Sequence, residues 1–202
     1  MKTAFNMNRN VCKKDSGFSL IEVLISALVL AIGVIGTAMI QIHAFRTSEQ
    51  SNFHDTAVAL AMQIADEIRA NDEEARLTTG NPFEGFAYTA LPTPPTGSYP
   101  VNCYDNQCTP NQLATFSKYE WQQKVFETLP SGRVEICRDK TVVDANGRNQ
   151  WCSSSGGTDP SQPLVIKVGW YERDANGKAI EGNDSAADDS PRVALLISPY
   201  TR

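Results

Sequence analysis

The chain has 202 residues, a mass of 22.1 kDa and a formal net charge of −5, enough for one ordinary domain with an appendage. Lys2, Arg9, Lys13 and Lys14 against Asp15 leave the first 17 residues at +3, so the remainder carries −8. A body this acidic excludes a basic nucleic-acid surface, and no nucleic-acid partner is expected from its charge.

The first predicted element begins in KKDSGFSLIEVLISALVLAIG, residues 13–33. Between Glu22 and Arg46 lie 23 residues without Asp, Glu, Lys or Arg. As a helix they extend about 35 Å, enough to cross a hydrocarbon core of about 30 Å. The basic residues ahead of them stay cytoplasmic by the positive-inside rule. The rest of the chain is then expected outside, in the periplasm of a Gram-negative cell. A secretory signal has a shorter apolar core, about 7 to 15 residues, and would leave position 22 apolar. A plain membrane anchor would tolerate Glu22 by letting its carboxylate reach the interface.

Helical spacing continues past the apolar run: Phe53, Ala57, Leu60, Ala61, Ile64 and Ile68 follow an i, i+3, i+4, i+7 pattern. The opposite face carries Gln63, Asp66, Glu67 and Arg69. One long helix is predicted from about Phe18 to about Arg76, with Gly33 and Gly36 either lowering helix propensity locally or permitting close helix packing. The stretch from Gly80 to Pro110 includes PTPPTGSYP and reads as an irregular connection. A second helix is predicted in NQLATFSKYEWQQKVFETLP, ending before Pro130, with Leu113, Phe116, Trp121, Val125 and Leu129 in the core. RVEIC, PLVIKVGWYER and PRVALLISPY then supply at least three strands. DANG occurs twice, at Asp144–Gly147 and Asp174–Gly177, each time with Asn-Gly turn chemistry. The expected fold is α+β: a long N-terminal helix packed by its C-terminal half on an antiparallel sheet.

Cysteine usage points to the same compartment. Without Cys12, which lies in the basic N-terminal segment, Cys103, Cys108, Cys137 and Cys152 remain, an even number that suits two disulfides. Three pairings are open; Cys103 with Cys108 and Cys137 with Cys152 close the shorter loops. No CxxC is present, and His43 and His54 lie far upstream, so no metal site and no cofactor are expected. The acidic loop around Glu181, Asp184, Asp188 and Asp189 has calcium-type oxygens but departs from the EF-hand pattern. No catalytic residues are expected either, since GxSxG, HExxH, a P-loop and GxGxxG are all missing.

Lys13-Lys14-Asp15-Ser16-Gly17 followed by Phe18-Ser19-Leu20-Ile21-Glu22 resembles the class III leader of type IV pilins and of type II secretion pseudopilins. The resemblance implies cutting by a prepilin peptidase after Gly17 and methylation of the new N-terminal Phe18. Glu22 becomes the fifth residue of the mature chain. A lone carboxylate in an apolar packing zone is costly, and pairing it with the free N-terminal amine of a neighbouring subunit relieves both penalties. Glu22 is therefore expected to set axial register. The family organisation implies a leader at 1–17, a membrane or filament-core helix at 18–45, an amphipathic continuation at 46–79 and a globular head at 80–202. It also implies insertion in the inner membrane before assembly, a place in the pilus afterwards, and contacts with the major pilin and other minor pilins. Residues 59–71, 120–137 and 164–173 resemble a minor-pilin branch. A minor pseudopilin shares the leader and helix, and an adhesin whose cysteine-bearing loops bind a surface ligand is the remaining reading.

Overall fold

A computed structural model describes residues 17, 19–90, 94–95, 101–152, 159, 161–171 and 190–197. The elements in chain order are α1 (Leu20–Ala70), α2 (Asp72–Ala75), β1 (Phe86–Thr89), α3 (Pro110–Thr128), β2 (Arg133–Arg138), β3 (Leu164–Gly169) and β4 (Val193–Ile197). They fall into two compact units, residues 1–44 and 45–202.

The described part of the first unit is helical from Leu20, and its apolar side chains are exposed all round, including Leu24, Leu28, Ile32, Ile35 and Met39. The second unit holds the core. Its sheet has the order β1-β2-β3-β4 with every neighbouring pair antiparallel. Ile136 faces Ile166, and Val134 faces Val168, while Leu164 faces Ile197. Strand alternation sends these side chains to one face, where they meet Ala57, Leu60, Ala61, Ile64, Ala65 and Ile68 of α1. The alanines at 57, 61 and 65 repeat every four residues, giving α1 a narrow side on which the larger leucine and isoleucines interdigitate with the sheet. The fold is thus the expected α+β arrangement.

The N-terminal helix stops earlier than its polar-apolar pattern suggests. α1 ends at Ala70, and Asn71 (φ −100°, ψ 54°) separates it from the single turn of α2. The Asn71 amide donates to the Pro110 carbonyl at 2.7 Å, so this break ties the helix end to the start of α3. α3 opens with a capping box: Thr109 Oγ1 accepts from the Gln112 N–H at 3.3 Å, and Gln112 Oε1 accepts from the Thr109 N–H at 2.9 Å. Pro110 fits the first turn because its missing N–H has no intrahelical partner there. Phe116, Trp121, Val125 and Leu129 are buried as expected, but Leu113 is 42% exposed. Position 113 lies off the stripe through Ala114, Trp121 and Val125 that faces the core.

One strand lies inside the segment expected to be irregular. Phe86 to Thr89 pair with Ile136 to Arg133, and the Gly85 N–H opens the ladder by donating to the Ile136 carbonyl at 3.0 Å. Gly85 has φ +74°, a conformation that L side chains resist, so the glycine turns the chain into the sheet. The first DANG forms a turn: Gly147 has φ +77°, Asp144 Oδ1 accepts from the N–H groups of Asn146 and Arg148, and Val143 bridges Asn149. The second DANG and the acidic stretch from Glu181 to Asp189 lie outside the described residues.

Candidate functional site

Two regions carry the residues singled out above, and each is built by local chemistry. In the first, Gly17 is exposed, and a Cβ placed there would meet nothing within 4 Å. The same holds for Gly33 and Gly36, so packing among the described residues does not require glycine at any of the three. Phe18 lies outside the described residues. The Ser19 carbonyl accepts from the N–H groups of Glu22 and Val23, closing the first turn of α1. Glu22 sits in that turn, where a negative charge is favoured by the unpaired N–H groups of the helix start. Its carboxylate is exposed, and Ser26 Oγ donates to its backbone carbonyl at 2.7 Å.

Beyond Glu22 the helix is long and apolar enough to cross a membrane, and none of its most apolar 18-residue stretch is buried within the protein. A helix apolar on every side needs a surrounding of lipid or of other apolar helices. His43 lies within this helix. His54 lies further along it, with its ring edge-on to Trp170 at 6.1 Å and its Nδ1 4.0 Å from Asp55. Among the described residues, no three His, Cys, Asp or Glu side chains come together as metal ligands.

The second region is the head with its two disulfides. Cys103 is bonded to Cys108, and Cys137 to Cys152. The first pair closes a small knuckle from which Tyr104 protrudes, its ring edge-on to Phe116 at 5.1 Å and its hydroxyl donating to Glu120 at 3.2 Å. The second pair fastens a strap, residues 139–152, over the sheet face turned away from α1. Trp151 lies against Gly169 so closely that a Cβ there would come within 2.8 Å of the indole. The Arg133 guanidinium stacks 4.2 Å above the same ring. Glu135 accepts from Arg133 through one oxygen and from the Cys152 N–H at 2.9 Å through the other.

Lys167 is wholly buried on the same sheet face, its ammonium donating to Asp139 Oδ2 at 2.6 Å. Burial pushes the Asp139 carboxyl upward. The Lys167 hydrogen bond and charge, with the Thr141 N–H at 2.7 Å, outweigh that and hold it below the ordinary carboxylate range. A third polar cluster joins the helices. Glu67 accepts from Trp121 Nε1 and from Gln63 Nε2, both at 2.6 Å, and Gln63 Oε1 accepts from Lys124 at 2.7 Å. None of the three clusters follows from spacing, although a single lysine in LVIKVG is a visible signal, since a charge in a fully buried strand needs a partner.

Residues 12–38 match the family described as the prokaryotic N-terminal methylation motif. No curated protein and no solved structure matches the chain. The motif supports a type IV pilin-like or pseudopilin-like protein, a structural subunit rather than an enzyme. Such a motif implies processing by a prepilin peptidase, and together with the long apolar helix it fits membrane anchoring. The helix-on-sheet fold with two disulfides is pilin-like.

Proposed function

We propose that the chain is a minor type IV pilin of the kind called PilV, or pilus modification protein. The observation that supports a filament subunit is the methylation motif at 12–38, which covers the start of a helix whose N-terminal part is apolar and exposed on every side. On this reading the prepilin peptidase removes residues 1–17 and methylates Phe18. Residues 18–45 hold the protein in the inner membrane and later pack in the filament core; 46–79 carry the amphipathic part of the helix, which ends at Ala70, and the chain that leaves it, and 80–202 form the periplasmic head. The protein joins the major pilin and other minor pilins, helps to initiate the filament, and supports twitching, attachment or DNA uptake. The cysteine-bearing Pro-rich connection and the blocks around Trp121 and Trp170 favour a pilin over a pseudopilin. A deletion strain that loses pili while keeping type II secretion supports this choice, and the reverse pattern supports the pseudopilin.

Glu22 acts in assembly by pairing with the N-terminal amine of a neighbouring subunit. An uncompensated charge in an apolar interior costs about 3 kcal/mol or more, which is on the order of a hundredfold in an equilibrium. Glu22→Ala is therefore expected to be cut and inserted normally but to fall by about that factor in sheared filaments relative to the membrane pool. Native incorporation of this variant, read by immunoblot of both fractions, contradicts the role.

A further inference from the structure

The strap over the outer sheet face is joined to the sheet by a disulfide, by Trp151 and by hydrogen bonds, and it lies beside a buried cation. We propose that Cys137–Cys152 is a redox latch: its reduction by a dithiol frees the strap and bares Lys167, while the helix-facing core stays folded. The inference rests on the head alone and holds whether or not the chain enters a filament.

Three observations carry it. First, the strap is attached to the outer face by contacts that belong to it alone: Trp151 on Gly169 and under Arg133, the Cys152 N–H on Glu135, and the Asn149 amide on the Pro191 carbonyl at 3.1 Å. The core on the opposite face includes no strap residue. Second, Lys167 is wholly buried on this face between two positions the strap contacts, Glu135 opposite it, which accepts from the Cys152 N–H, and Gly169, which carries Trp151; its partner Asp139 sits at the root of the strap with its N–H on the Pro163 carbonyl at 3.1 Å. Opening the strap therefore exposes an ammonium that gains hydration. Third, the disulfide closes a loop with a sequence separation of 15. Losing that closure shifts the opening equilibrium on the order of a hundredfold for a loop of this length.

The register also says how the exchange proceeds. Cys137 is buried and Cys152 only half-buried, so a reductant's thiolate attacks Sγ of Cys152. The cystine bond breaks, a mixed disulfide forms at Cys152, and Cys137 leaves as a thiolate. Cys137 pairs with Val165 and Glu135 with Lys167, which makes Lys167 the diagonal neighbour of Cys137 on the same face. A cation beside the departing sulfur favours the leaving group. The reductant's second thiol then displaces Cys152, so two electrons and two protons pass from the dithiol to the protein.

The test is lysine acylation of the detergent-solubilised full chain, with and without dithiothreitol, resolved by site in peptide mass spectra. A Cys103→Ser/Cys108→Ser background removes the other disulfide from the comparison. The expected result is that Lys167 labelling rises on the order of a hundredfold on reduction, while Lys118, whose amine donates to the Pro82 carbonyl in the helical layer, keeps its labelling rate. Alkylation confirms that both Cys137 and Cys152 are free. Lys167 remaining protected with both thiols free overturns the latch. So does a joint rise at Lys167 and Lys118, which marks unfolding of the whole head, and so does a disulfide that the dithiol leaves intact. Cys137→Ser/Cys152→Ser reads the same opening without reductant.

Discussion

Trp121→Ala is expected to lower the unfolding free energy of the head by about 3 to 5 kcal/mol, the range for removing a large aromatic from a packed core. Trp121 has no exposed surface, and it joins α3 to the rest of the core from several sides. Its ring meets Phe86 edge-on at 5.7 Å and Phe83 at 6.0 Å, and its Nε1 donates to Glu67 of α1. Truncation leaves a cavity and also strands a carboxylate oxygen. Trp121→Phe separates the two effects: most of the volume stays, and the missing donor alone costs about 1 to 3 kcal/mol, as for a hydrogen bond to a charged group. Urea denaturation of the solubilised full chain, followed by near-UV circular dichroism, measures both. A loss below about 1 kcal/mol for the alanine variant would show that α3 is not fastened to α1 through this residue.

The second large effect is at Asp139. Asp139→Asn keeps the side-chain shape but leaves the Lys167 ammonium buried without its counter-charge, and about 3 kcal/mol of stability should be lost. Adding Lys167→Met removes the stranded charge, so the double variant should recover most of that loss. The pair also sets an acid limit. Because the Asp139 carboxyl is held below its ordinary range in the folded chain, its contribution is complete above the unfolded carboxylate pKa, about 4. That contribution declines as pH falls through the lower folded value, where the carboxyl gains a proton and Lys167 loses its partner. Stability measured from pH 6 downward should therefore fall more steeply in the parent than in the Asp139→Asn/Lys167→Met variant. Parallel curves would show that the pair does not contribute to acid sensitivity.

The contrast between these residues explains what could be read from the chain alone. The helical stripe through Ala57, Leu60, Ala61, Ile64 and Ile68 was legible because a repeat of three and four residues has one physical meaning when it runs for several turns. Strands β2, β3 and β4 were legible from apolar runs bounded by Pro and Gly. β1 was not, because four residues are too few to show alternation and Gly85 disguises the entry to the ladder as another loop glycine. The break at Asn71 was missed for a different reason: its partner is the Pro110 carbonyl, 39 residues away, and no local pattern encodes such a contact. Leu113 was placed inside because it is apolar, whereas its angular position on α3 decides that it is exposed.

The candidate site divides along the same line. The methylation motif is contiguous in sequence, so a stretch that includes Gly17, Phe18 and Glu22 could be read as one block, and residues 12–38 match it. The cysteine pairing had three arithmetic solutions, and the one favoured by its short loops, Cys103 with Cys108 and Cys137 with Cys152, is the one present. The Lys167–Asp139 pair and the Glu67–Trp121 link connect residues 28 and 54 positions apart. Such polar clusters depend on tertiary register, and a sequence shows only the unexplained charge that calls for one.

The central claim is that this is a processed subunit that leaves the membrane for a filament. It is tested most directly by the intact mass and N-terminal sequence of the protein recovered from sheared, purified filaments, compared with the membrane fraction. The account predicts a filament chain that begins at N-methylated Phe18 and carries two disulfides. Uncleaved protein confined to the membrane fraction would contradict it and would leave an anchored α+β head without a role in assembly.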